Sequence, residues 1–453
     1  MNRTDRQHIF LKLRKEFPIF IYQSYSFVFS DSQLDIRFNF SLANKYFFEP
    51  TLSIPINDNL CPERVDKTML ENLVFHIGMV ELISYWKAAC PPVVQILPHS
   101  LHPEQMQWWK NLYYHGLGEF FYLNGISANE EDFMQIESKG ESPLVTGNQQ
   151  LEEKYLVPVG GGKDSVVSLE ILRKAGISMI PFIINPRPAT EGSAKLAGFD
   201  ARQIITVHRS IDPALLKLND SGFLNGHTPF SALLAFTTAL AAMLSGCRHI
   251  ALSNESSANE ATVPGTTINH QYSKSISFEN DFRDYARRYI HPELNYFSLL
   301  RPLNELQIVK LFSRFPQYFG TFKSCNVGSK TDSWCGHCPK CLFTALMLSP
   351  FVSQQQAEDI FGRNLLADPA LKPLLLELSG QSTAKPFECV GTVHEVQAAI
   401  SHLRKNDPDK TYALLQGIES GNGPDIETLL QQFDNEHNVE NKLLDIISAM
   451  FHD

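Results

Sequence analysis

The stretch Val157-Pro-Val-Gly-Gly-Gly-Lys-Asp-Ser165, "VPVGGGKDS", decides how the middle of this chain is read. The apolar run "YLVPV" (Tyr155–Val159) before the glycines reads as a buried strand, and "SVVSLEILRKAG" after them has helical spacing, opening at Ser165. Three consecutive glycines let the backbone turn sharply and bring its N–H groups close to a ligand. The amides and dipole of a helix N-terminus favour an anion such as phosphate. Lys163 adds a positive charge. Gly160, Gly161, Gly162, Lys163, Asp164 and Ser165 are therefore candidate nucleotide-binding residues. The loop is not a Walker A motif. Position 157 is valine where that motif needs glycine, and Asp164 follows the lysine where it needs Ser or Thr. A glycine turn that only closes a tight strand–helix connection is the competing reading.

Working outward, "MIPFIIN", "QIITVHR" and "HIALSN" read as three more buried strands separated by helical stretches. That alternation predicts an α/β fold with a doubly wound parallel sheet. Ligands of such sheets sit beyond the carboxyl ends of the strands. Asn185 and Arg209 fall there and are expected to contact base and phosphate, with ordinary loop polarity as the alternative. Residues 1–145 read as a separate α+β domain. It holds a hairpin around Asp31-Ser32 and the helical patterns "MLENLVFHIGMVELISYWKAA" and "PEQMQWWKNLYYHGLGEFFYL". The polar "ESKGESPLVTGNQQLEEK" reads as a linker. A catalytic domain is expected over 151–350. A helical region is expected over 351–453, interrupted by "KPFECVGT" and the loop "GIESGNGPD".

With 43% hydrophobic and 19% charged residues, the 453-residue chain has the composition of a folded soluble protein. Its 39 basic and 49 acidic residues give a net charge of −10, which disfavours a large nucleic-acid footprint. The charged N-terminal segment lacks an apolar core of signal-peptide type, so a cytoplasmic protein is expected. The uncharged run Phe230–Cys247 has nearly membrane length. Thr228 as cap, Pro229 at the first helical position and the Ser245-Gly246 end favour a buried helix, and no membrane insertion is expected.

Four of the eight cysteines, Cys325, Cys335, Cys338 and Cys341, fall within seventeen residues. In a reducing compartment such spacing points to metal rather than to disulfides. Four thiolates can enclose one Zn²⁺ tetrahedrally, giving a closed structural site. His337 is a spare ligand, and an iron–sulfur cluster or free cysteines are the rivals.

Between the glycine loop and these cysteines lie dense polar clusters: "NGHTPFSA", "SNESSANE", "NHQYSKS" and "FSLLRPLNELQI". They are poor core material and fit a polar, anionic substrate better. The loop resembles that of the ATP pyrophosphatase (PP-loop) superfamily, Ser-Gly-Gly-x-Asp-Ser, with Gly160 in place of the first serine. Loop, polar clusters, cysteines and "FECVGT" together resemble the UDP-N-acetylmuramoyl-L-alanyl-L-glutamate epimerase family over about residues 155–395. The resemblance implies an ATP pyrophosphatase fold and an enzyme of peptidoglycan synthesis that uses ATP, releasing AMP and diphosphate. Its partner would be a UDP-linked muramoyl dipeptide whose terminal L-glutamate is converted to D-glutamate. A similar cysteine cluster follows the pyrophosphatase domain of 7-cyano-7-deazaguanine synthases.

Adenylation accounts for the loop in such a reaction. A free carboxylate makes the neighbouring Cα–H a very weak acid, and an acyl-adenylate removes that charge before proton transfer. Mg²⁺ (or Mn²⁺) is required for diphosphate departure, with Asp164 as its candidate holder. His227, His270, Lys274, Glu255 and Cys389 are chemically able to exchange the proton. A histidine, His227 or His270, is expected on one face and Cys389 or Lys274 on the other. A small buried apolar role is the plain alternative for Cys389. Asn225, Asn254, Asn269 and Arg301 are candidate substrate contacts, Arg301 through its bidentate fork. The rival functions are an amidating or thiolating enzyme of the same loop type and a non-catalytic ATP-binding protein. No pattern in the chain sets an oligomeric state.

Overall fold

The computed structural model describes residues 3–406, 412–418 and 423–452; positions 419–422 of the loop "GIESGNGPD" lie outside them. The protein is mixed α/β. Its strands are β1 (Ile19–Phe29), β2 (Gln33–Leu42), β3 (Tyr46–Phe48), β4 (Thr51–Pro55), β5 (Val93–Ile96), β6 (Gln135–Ser138), β7 (Glu152–Pro158), β8 (Met179–Ile184), β9 (Ile205–Ser210), β10 (Cys247–Leu252) and β11 (Asn295–Ser298). Two compact units share them.

The first unit takes residues 1–156, 205–250 and 277–296. The expected hairpin forms: β1 and β2 pair antiparallel from Phe20↔Leu42 to Phe29↔Leu34, with a bulge between Tyr22 and Ser24. Alternation explains the register. Leu34, Ile36, Phe38 and Phe40 are buried along β2, while Asp35 and Arg37 face out. The ladder continues as β9-β4-β2-β1-β5-β6, with β3 on β2. β4 joins β2 and β9 antiparallel, and β1, β5 and β6 run parallel. Of the strands expected to form the doubly wound parallel sheet, β10 pairs with β7 in parallel, while β9 also takes β4 as an antiparallel neighbour.

Helix Lys67–Trp86 packs against Phe230–Ser245, both of them buried along most of their length. The second is the run that approached membrane length. No helix among the described residues is long and apolar enough to cross a membrane. It ends at Gly246, whose φ of 71° is the left-handed C-cap that glycine adopts cheaply. Its start differs from expectation. Pro229 is the N-cap, without a side-chain cap bond, and the Thr228 carbonyl accepts from Phe230 N.

The second unit takes residues 157–204, 251–276 and 297–453. It holds β8 and the carboxyl ends of β7, β10 and β11, so the glycine loop, which follows β7, begins it. The helix after the loop runs Lys163–Lys174, two residues earlier than expected, with Gly162 as N-cap. Helix Glu305–Ser313 packs on it and on Pro339–Leu348. Leu306, Ile308, Val309, Leu311 and Phe312 of the former are fully buried.

Candidate functional site

The glycine loop is built around one left-handed residue. Gly161 has φ 77°, and a Cβ there would lie 3.0 Å from the backbone of Ala189 and Thr190. A Cβ on Gly162 would lie 2.8 Å from Ser324 Oγ, whereas Gly160 has open space beside it. The Gly161 carbonyl accepts from Lys323 N at 2.8 Å, and the Gly160 carbonyl from Arg187 Nη2 at 3.1 Å. Ser165 Oγ donates to the Gly162 carbonyl at 2.9 Å, closing the first turn of the helix. Asn185, exposed at the end of β8, holds a left-handed φ of 50°.

Lys163 does not point its charge outward. Its ammonium is buried, bonded to the Asp164 carboxylate and 2.5 Å from Glu305 Oε2. Burial would lower its pKa, but the two carboxylates outweigh burial and raise it. One cation cannot satisfy both acids equally. Asp164 keeps a third of its side chain in solvent, while Glu305 is 3% exposed. Burial pushes the Glu305 carboxyl well above its usual range, and the nearby Asp164, Glu255 and Glu395 push the same way against Lys163. Glu395, buried as well, accepts from Glu305 N at 2.6 Å and from Thr392 N at 2.7 Å. It thereby ties the "FECVGT" segment to the start of helix Glu305–Ser313.

A second charged group surrounds Cys389. Lys274 Nζ donates to its sulfur at 3.2 Å. Burial pushes the thiol up, but Lys274, Lys340 and a hydrogen bond with His270 overcome burial and hold it well below its ordinary range. Lys274 moves the other way. Burial lowers it, and Cys389 and Glu255 more than reverse that, with Asp164 of the glycine loop adding to the rise. Cys389 thus faces an ammonium that favours the charged form of its sulfur.

Arg301 organises this group from beneath. Its guanidinium is fully buried and donates to the carbonyls of Glu255 at 2.7 Å and Lys274 at 2.5 Å, and to Ser298 Oγ at 3.3 Å. These bonds fix the segments carrying Glu255 and Lys274. The Glu255 carboxylate accepts from Ser257 Oγ at 3.1 Å. Asn254 Nδ2 donates to Ser298 Oγ at 3.0 Å. Asn269 is equally architectural, donating to the Ala258 carbonyl and accepting from Gln271 N. His270 is half-buried, and its backbone N–H donates to Thr262 Oγ1 at 3.0 Å.

The first unit holds the remaining expected residues. Arg209 lies inside β9 and forms a bidentate pair with the buried Glu81, at 2.9 and 2.8 Å. Asn225 is exposed, its carbonyl accepting from Asn124 Nδ2. His227 Nδ1 is 3.7 Å from Glu119 Oε2.

The four expected metal cysteines do converge. Cys325 and Cys338 sulfurs are 3.7 Å apart, Cys335 and Cys341 3.8 Å, Cys338 and Cys341 3.5 Å, and all four lie within 4.8 Å of one another. Tetrahedral thiolates about 2.3 Å from one Zn²⁺ have sulfurs about 3.8 Å apart. The donor set therefore fits a single ion better than a cluster that needs one iron per cysteine. His337 turns its Nδ1 to the Cys335 carbonyl and lies exposed beside the four sulfurs. All eight cysteines are free of disulfides.

Sequence reading missed Glu305, Glu395, Lys340 and Arg187. Glu305 lay inside a quoted polar cluster, and Lys340 between two metal-spaced cysteines. Glu395 begins a helix and looks like an ordinary first-turn acid.

Comparison with known proteins identifies the family. The model of the MurL N-terminal domain matches residues 12–299, and that of the MurL C-terminal domain matches 321–427. A UDP-N-acetyl-alpha-D-muramoyl-L-alanyl-L-glutamate epimerase of Xanthomonas oryzae pv. oryzae is 33% identical over 401 residues, covering 85% of this chain and 87% of the relative. The protein of that name in Salinispora tropica is 35% identical over 394 residues, 85% of this chain and 84% of its own. One from a Micromonospora species is 36% identical over 337 residues, 73% and 74% of the two chains. The chain belongs to the UDP-N-acetyl-alpha-D-muramoyl-L-alanyl-L-glutamate epimerase family.

Proposed function

We propose that this protein epimerises the terminal L-glutamate of UDP-N-acetylmuramoyl-L-alanyl-L-glutamate to D-glutamate in peptidoglycan synthesis, using ATP to form an acyl-adenylate. The observation that carries the reading is the Cys389 sulfur held 3.2 Å from Lys274 Nζ, in the same unit as the glycine loop. Epimerisation needs a base of moderate strength at the α-carbon, and adenylation needs a phosphate-binding turn. The family supplies the substrate.

The glycine loop, of PP-loop type, and the N-terminus of helix Lys163–Lys174 would bind the phosphates through backbone N–H groups. Mg²⁺ bound at Asp164 would neutralise charge on the departing diphosphate. The substrate carboxylate attacks the α-phosphorus, the bond to the β-phosphate breaks, and acyl-AMP and diphosphate form. The Cys389 thiolate then takes the Cα proton, and the electron pair moves into the acyl carbonyl. The Lys274 ammonium stabilises first the thiolate and then the developing oxyanion. A histidine, His270 or His227, returns a proton to the opposite face. Because His270 is hydrogen-bonded to Cys389, it can serve that face only when substrate separates the two. Water attacks the acyl carbon, releasing AMP and the inverted product. Zinc on Cys325, Cys335, Cys338 and Cys341 would hold the fold with no open coordination position.

The test is a reaction in D₂O with ATP, Mg²⁺ and the L-glutamyl substrate, following diphosphate and deuterium at the glutamate Cα. Diphosphate together with deuterated D-glutamyl product is expected. Diphosphate without deuterium would point to an amidating or thiolating enzyme, and neither signal to a non-catalytic ATP-binding protein.

A further inference from the structure

Two residues of the four-cysteine loop reach the segment that carries Cys389. Asn326, next to Cys325, donates through its side chain to the Glu388 carboxylate. Lys340, between Cys338 and Cys341, acts with its positive charge on both Glu388 and Cys389. A structural metal site needs neither link. The reacting segment also has a separate anchor on its other side, where Lys385 N donates to the Thr262 carbonyl at 3.2 Å and Lys385 Nζ pairs with Glu260.

We propose that the four-cysteine loop positions the segment carrying the Cys389 thiol, with Asn326 holding Glu388 and Lys340 bringing a second cation near the sulfur. The inference rests on the reading of Cys389 as the base. The charged and titratable groups facing the thiol are Lys274, Lys340, His270 and the neighbouring Glu388, whose own carboxyl burial raises. Lys340 is thus a positioning residue held in place by the metal ligands on either side of it. Metal loading then governs thiol reactivity as well as folding.

The experiment uses the full-length, zinc-loaded protein and Lys340→Gln, Lys340→Arg and Asn326→Ala. Lys330→Gln removes an exposed charge from the same loop as a control. The rate of Cys389 alkylation by iodoacetamide is followed against pH by peptide mass spectrometry, with zinc content measured on each sample. Removing a cation raises the thiol pKa, so Lys340→Gln is expected to move the alkylation midpoint to higher pH by about one unit. Asn326→Ala shifts it less, Lys340→Arg restores it and Lys330→Gln leaves it in place. Turnover with ATP and substrate is expected to fall about tenfold in Lys340→Gln, with KM for ATP unchanged. Metal-replete Lys340→Gln with a wild-type profile overturns the proposal. So does zinc loss from Lys340→Gln combined with an unshifted Asn326→Ala. Alkylation is read without substrate. A shifted profile in a protein that never epimerises would therefore sink the functional reading while leaving this link standing.

Discussion

The two units bury polar groups in opposite ways. In the first, His76, Tyr285, Arg209 and Glu81 find matched partners. His76 is fully buried, with Nδ1 bonded to the Asn72 carbonyl at 2.8 Å and Nε2 to Tyr285 OH at 2.8 Å. The carbonyl can only accept, so Nδ1 carries the proton and the ring is neutral. Tyr285 OH also accepts from Gln105 and Trp109, at 3.0 and 3.1 Å. Arg209 and Glu81 match one to one. The second unit is unbalanced: Lys163 serves two acids, further carboxylates crowd Glu305, and several cations converge on one sulfur. Matched burial fixes a fold. Unmatched burial costs stability, and perturbed titratable groups gathered beside a glycine-rich loop are the physical ground for the proposed site.

Disruption of the metal loop should have the largest effect. Cys338→Ser is expected to lose the ion and with it a contribution on the order of 10 kcal/mol, seen as zinc content near zero and melting of the second unit. Next comes Cys389→Ser. Turnover should fall about 10³-fold, or about 4 kcal/mol of barrier, with the thermal midpoint within a few degrees of wild type. A large loss of stability instead would put Cys389 with the matched groups and break the contrast. In the first unit, Glu81→Leu strands Arg209 and should cost about 3–5 kcal/mol in urea denaturation, most of it recovered by adding Arg209→Met.

The neutral histidine gives a pH test. Burial, the largest influence on His76, lowers its pKa from 6.5 to about 4. Unfolded chains bind a proton there first, so the stabilisation is complete above pH 6.5 and is lost as pH falls through 4. The loss amounts to about 3 kcal/mol. Urea midpoints at pH 7 and pH 4.5 should differ less in His76→Phe. The smallest effect belongs to Gly160→Ser, where open space surrounds the new side chain. Stability should change by less than about 0.5 kcal/mol, and KM for ATP should fall if the hydroxyl reaches phosphate.

What the sequence made legible follows from how local each signal was. The glycine loop, the β1–β2 hairpin and the four-cysteine cluster are set by neighbours in the chain. Each appears where expected, apart from a helix that starts at Lys163 instead of Ser165. Antiparallel pairing of β4 with β9 joins Thr51 to Ser210, and no short-range pattern announces it. The four-residue strands β5, β6 and β11 are too short for period-two alternation to show. Arg209 looked like a loop residue past a strand end, yet it lies within β9, and Glu81, 128 residues earlier, claims its guanidinium. Arg301 was read as a substrate fork because arginine so often plays that part, whereas here backbone carbonyls occupy it. Cys389 was legible as chemistry, but the cations that lower its thiol's pKa, Lys274 and Lys340, come from distant stretches of chain.

The second unit is threaded from three stretches of chain, 157–204, 251–276 and 297–453, and this imposes an order on its birth. A ribosome delivers the glycine loop first, then Lys274, and Cys389 more than a hundred residues afterwards. The nascent chain therefore carries the glycine turn long before it has the residue proposed here as the base. Domains fold as units once their last segment emerges. On the proposed reading, the order of synthesis leaves the early turn without the groups that would complete it until late in the polypeptide.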